Sequence, residues 1–109
     1  MNKLLHLACT ADLAAPGASY RPAGYATEGF IHCCWPEQLP GVIDRYYQGR
    51  ADLVLFELDL ILLDSKLVEE DLTGSGECFP HIYGVIPSVA IVQQQPLRLD
   101  AAGRVLLPV

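Results

Sequence analysis

The chain has 109 residues, 51% of them hydrophobic and 18% charged, enough to bury one core and too few for a second domain. Seven basic side chains against thirteen acidic ones leave a formal charge of -6, which opposes the counterion release that draws proteins onto nucleic-acid backbones, so duplex DNA is not an expected partner. No apolar run approaches the about 20 residues a bilayer-crossing helix needs, so no membrane span is expected.

In chain order, Met1 to Ala8 is too short an apolar stretch, and is interrupted by His6, to read as a secretory leader. Lys3 to Ala8 reads instead as a first strand, with Leu4, His6 and Ala8 on one face and Leu5 and Leu7 on the other. Thr10 to Ala15 predicts a short helix capped by Thr10 and stopped by Pro16-Gly17. Ser19 to Glu28 is irregular, with two tyrosines and an arginine, and reads as a ligand-facing loop. Phe30 to Cys34 is a second strand, with Phe30, His32 and Cys34 on one face and Ile31 and Cys33 on the other.

A helix opens at Pro36 and stops at Gly49, with Leu39, Val42, Ile43, Tyr46 and Tyr47 on one stripe and Pro40 an awkward fit. Asp52 to Asp59 is almost continuously apolar, the signature of a central strand buried on both faces. Lys66 to Glu70 and Cys78 to Tyr83 are two further strands separated by the flexible turn Thr73-Gly74-Ser75-Gly76. Val89 to Gln95 makes a sixth strand, and Arg104 to Leu107 a terminal one after the turn at Asp100 to Gly103. Many short strands around one main helix, with a short N-terminal helix, predict an α+β domain over residues 1–109.

Four cysteines, Cys9, Cys33, Cys34 and Cys78, lack the spacing of a disulfide framework and read as reduced thiols in the cytoplasm. All three histidines fall in predicted strands, where chemistry or core packing places them more readily than chance. His6 sits among apolar neighbours and suits a packed ring as well as a functional one. His32 follows Gly29, which permits close backbone approach of a ligand, and His81 precedes Tyr83-Gly84. The two imidazoles are expected to face a common pocket.

Three stretches in order, Glu28-Gly29-Phe30-Ile31-His32-Cys33, Asp52-Leu53-Val54-Leu55 and Phe79-Pro80-His81-Ile82-Tyr83-Gly84, resemble the bacterial family called domain of unknown function 952 across nearly the whole chain. That resemblance implies an ADP-ribosyltransferase-like fold, related to RNA 2'-phosphotransferases, with a split, mostly antiparallel sheet gripping a nicotinamide dinucleotide (NAD) as substrate. It places His6 on a ribose hydroxyl and His32 beside the nicotinamide, with His81 and Tyr83 on the opposite wall. Glu70 takes the acidic position before the Phe-Pro-His motif, facing the oxocarbenium charge that glycosidic cleavage builds. Arg21, in Tyr20-Arg21-Pro22, is the candidate for a phosphate. Gly24 and Cys34 stand where the family's serines are expected.

On this reading His32, His81 and Glu70 are the catalytic candidates, His6, Arg21, Gly29 and Tyr83 bind the cofactor, and no metal is expected. Three alternatives remain open. One is a non-catalytic module that binds a nucleotide or small metabolite. Another is a zinc site drawn from Cys78 with His81 and His32 with Cys34. The third is a nucleophilic Cys34 activated by a helix dipole, with His32 as its base.

Overall fold

The computed structural model describes residues 3–107, and within them the chain forms two antiparallel three-stranded sheets. In the first, β1 (Leu4–Cys9) and β6 (Ile91–Pro96) flank β3 (Leu53–Leu58). In the second, β2 (Ile31–His32) and β4 (Lys66–Glu70) flank β5 (Phe79–Tyr83). The sheets are stitched where Leu5 and Cys34 exchange backbone hydrogen bonds of 2.9 and 2.8 Å. The architecture is therefore α+β with a sheet divided into two parts.

Strand alternation explains how one sheet serves two cores. Leu4, Ala8, Val54, Phe56 and Leu58 pack with Ile31 and Ile82 of the second sheet and with Tyr20 and Ile86. Leu5, Leu7, Leu53 and Leu55 turn the other way, onto Leu39, Ile43, Leu97 and Val105. Burial on both faces is what the unbroken apolar run of β3 requires, and β3 is central as expected.

The helical content departs from expectation. Thr10 to Ala15 supplies only a 3-10 turn at Thr10–Asp12, and Thr10 is not its cap. The segment read as an irregular loop contains α1 (Tyr25–Glu28), ended by Gly29 in the left-handed region at φ 80°. The expected main helix is a composite: a 3-10 turn at Pro36–Gln38, α2 (Leu39–Val42) and a π turn at Ile43–Tyr47. Pro40 and Gly41 deny the segment its propensity, and burial of Leu39 and Ile43 holds it in place. Tyr46, expected on the buried stripe, is 61% exposed.

The strands are shorter than expected at several ends. Phe30 and Cys34 lie outside β2, Cys78 precedes β5, and Arg104 to Leu107 contributes only a bridge between Leu99 and Val105. Met1 and Asn2, the start of the stretch weighed as a leader, lie outside the described residues. Among the described residues no helix is long and apolar enough to cross a membrane.

Candidate functional site

The second sheet has a core face and an open face. Ile31 and Ile82 point into the core, so His32, His81, Phe79, Tyr83 and Glu70 share the opposite face by the period-2 rule. His32 and His81 are register partners on β2 and β5, which sets their rings 5.1 Å apart at 83°. The two imidazoles thus stand side by side on one wall, and not on opposite walls.

They border a cleft of about 610 Å³, within the range that holds a small organic ligand. Glu28 at the end of α1, Phe30, Val42, Tyr46, Tyr47, Arg50, Asp71, Leu72 and Thr73 are among the other residues that line it. Phe30 stacks on His81 at 4.4 Å with planes 27° apart, and meets His32 edge-on at 4.8 Å.

Each imidazole is tethered to its own carboxylate. His32 Nε2 donates to Glu28 Oε2 at 2.8 Å in an exposed pair. His81, whose side chain is only 5% exposed, donates from Nδ1 to Glu70 Oε1 at 2.9 Å. The Tyr83 hydroxyl donates to the same oxygen. Those two donors, Tyr83 foremost, hold the Glu70 carboxyl below the usual carboxylate range, while bonding to Glu70 raises the Tyr83 phenol. With Nδ1 committed as donor, a neutral His81 ring presents Nε2 as an acceptor. That atom has no hydrogen-bond partner among the described residues and is not sealed from solvent, and the residue lines the cleft.

The remaining sequence candidates lie elsewhere. His6 is buried behind the sheet, with Nδ1 donating to the His32 carbonyl at 2.6 Å and Nε2 accepting from the Tyr20 hydroxyl at 2.8 Å. Both ring nitrogens are occupied, so His6 supports the backbone of His32 and offers nothing to a ribose. Arg21 sits over the Tyr25 ring at 5.8 Å and does not line the cleft. Gly29 is explained by its positive φ at the end of α1 and is not among the residues lining the cleft. Tyr83 acts on Glu70 and also stays outside the lining. Gly24 leaves room that a side chain would lose, since an added Cβ would come within 3.2 Å of Glu28 Oε1.

Cys34 is a core residue: burial pushes its thiol up to about 12, the reverse of what a nucleophile needs. Cys33 is raised for the same reason. Among the described residues no three His, Cys, Asp or Glu side chains gather as a ligand set.

Sequence reasoning missed Arg50 and Asp71. Arg50 holds Asp52 with a two-pronged contact of 3.0 and 2.7 Å and reaches Cys9 Sγ at 3.0 Å. Asp71 lines the cleft and accepts from the backbone N–H groups of Ser75 and Gly76 at 3.0 and 2.7 Å. Period-2 alternation through Phe79, His81 and Tyr83 was the available signal for the open face, and nothing local marks Arg50.

Residues 8–94 match the model of a family described as a protein of unknown function, DUF952. A crystal structure of protein CC0527 from Caulobacter crescentus is 28% identical, with a TM-score of 0.80 over 96% of this chain and 94% of that one. A solution structure of CC0527 is 25% identical, with a TM-score of 0.71 over 94% of this chain and 90% of that one. None of the curated proteins matches the chain.

Proposed function

This chain belongs to the DUF952 family, and from that premise and the geometry of the cleft we propose that it binds a small molecule bearing a flat ring and moves a proton on it through His81. The observation that carries the reading is His81 itself: stacked on Phe30, oriented through Nδ1 by Glu70, and open at Nε2. A carboxylate that fixes one ring nitrogen leaves the other poised as a general base or acid. His32, tied to Glu28 beside it, is placed to orient the same ligand.

The first ligand to test is the nicotinamide dinucleotide that the family resemblance suggested, with an ADP-ribosyl-type transfer as its reaction. In that chemistry the bond between the ribose carbon and the ring nitrogen breaks, and its electron pair leaves with neutral nicotinamide. An incoming hydroxyl bonds to the ribose carbon and gives its proton to His81 Nε2. Glu70 Oε2, which has no hydrogen-bond partner among the described residues, supplies negative charge near the oxocarbenium centre.

A binding module without turnover is the second reading. It is favoured by Glu70 Oε1 already serving two donors and by Arg21 lying away from the cleft. Thermal-shift measurements with NAD, ADP-ribose and free nucleotides, followed by an assay of released nicotinamide, separate the readings. The enzyme reading expects release that His81→Gln abolishes while the ligand-induced shift survives, and that His32→Ala weakens. A shift without release leaves the binding module. No shift with any ligand removes both.

A further inference from the structure

His32 and His81 form a matched pair. The Cys33 N–H donates to the Pro80 carbonyl at 3.0 Å, so the next pair along the ladder, His32 with His81, is of the closer kind that exchanges no backbone hydrogen bonds. Their rings lie 5.1 Å apart, and both meet the Phe30 ring. The His32 carbonyl turns away from β5 and accepts from buried His6 at 2.6 Å. Both imidazoles thus rise from a fixed backbone, and both residues line the cleft.

The two rings have the same kind of partner and different surroundings. Each gives one nitrogen to a carboxylate, His32 Nε2 to Glu28 and His81 Nδ1 to Glu70. His32 Nδ1 and His81 Nε2 have no hydrogen-bond partner among the described residues. The His32 side chain is 55% exposed and that of His81 5%. Water can carry the charge of a protonated His32, whereas a protonated His81 would depend on Glu70. Two like groups in unlike surroundings divide into one acid and one base.

We propose that the cleft relocates a proton within one flat-ring molecule: His81 removes a proton and His32 returns one to a second atom, so the reaction is a tautomerisation and the substrate a ring-borne enol or ketone. The inference rests on the proposed function and gives His32 a catalytic part beyond orienting the ligand. For an enol, His81 Nε2 takes the O–H proton and the O–H electron pair becomes the carbonyl π bond. The carbon–carbon π pair then takes a proton from His32 Nδ1. One proton leaves the substrate and one enters it, and exchange with water restores both rings, so no cofactor or oxidant is required.

The enol of methyl phenylpyruvate, neutral and conjugated with a flat ring, is the probe, and its ketonisation by the full chain is followed as loss of ultraviolet absorbance. The native chain is expected to accelerate ketonisation over buffer. His32→Gln and His81→Gln are each expected to lower kcat about a hundredfold with little change in KM. His32→Gln is the deciding variant, because its half-exposed ring can be replaced without disturbing the core. A His32→Gln protein that keeps the native kcat, whatever its KM, makes His32 an orienting residue and overturns the proposal, while the proposed function stands. A His81→Gln protein as fast as the native chain removes the proposed function as well. No acceleration by the native chain also overturns the proposal, and the ligand-induced shifts and nicotinamide release then decide the proposed function separately.

Discussion

His6 shows how much one buried ring can decide. Its side chain bridges the His32 carbonyl and the Tyr20 hydroxyl, and burial pulls its pKa from the ordinary 6.5 down to about 4. The folded ring is neutral where the unfolded one takes up a proton, so its contribution is complete above pH 6.5 and is lost as pH falls toward 4. The loss amounts to about 3 kcal/mol across that window. Thermal melts of the native chain should show the midpoint falling through this range. His6→Gln, which keeps polar atoms without titrating, should flatten the slope; an unchanged slope would assign it to other groups. The sequence placed this histidine on an apolar face but not its partners, because Tyr20 reaches it from a segment with no periodic pattern. His32 and His81 were legible because alternation along two strands fixes which way each side chain points. Their pairing was not, since register depends on which strands become neighbours.

At the level of elements, the short helix α1 matters out of proportion to its four residues, because it delivers Glu28 to His32. Gly29 ends it at φ 80°, a conformation that costs an alanine roughly 1 kcal/mol or more. Gly29→Ala should therefore lower stability in urea unfolding by about 1 kcal/mol, with Gly29→Asn milder. Equal stability of all three would mean the chain ends this helix in another way. The element escaped sequence analysis because a single turn presents no hydrophobic period. The composite segment from Pro36 to Tyr47 misled for the opposite reason: its apolar spacing is helical, but Pro40 and Gly41 break regularity, and Tyr46 in the π turn is exposed. Tyr46 and Tyr47 both line the cleft. The β strands read more faithfully, since β3 carries its apolar signal without interruption.

Across the whole molecule, the question is whether two small sheets behave as one folding unit. The second sheet is thin: β2 has two residues, and its apolar face survives only by packing Ile31 and Ile82 onto Leu4 and Phe56 of the first. A three-stranded sheet with one face on the cleft has little core of its own, so it should not persist once the first sheet melts. Trp35, the chain's single tryptophan, reports on this junction. It packs against the shared core, follows Cys34 at the stitch between the sheets, and donates from Nε1 to Glu69 on β4 at 2.8 Å. Its fluorescence therefore tracks the second sheet, while far-UV circular dichroism is weighted by all six strands. The two signals should give one coincident transition in denaturant, as a single cooperative domain requires. A fluorescence midpoint at lower denaturant would show the histidine-bearing sheet detaching first. The cleft would then open before the core is lost, and a saturating ligand should pull the two midpoints together, because binding stabilises only the state in which the site is formed.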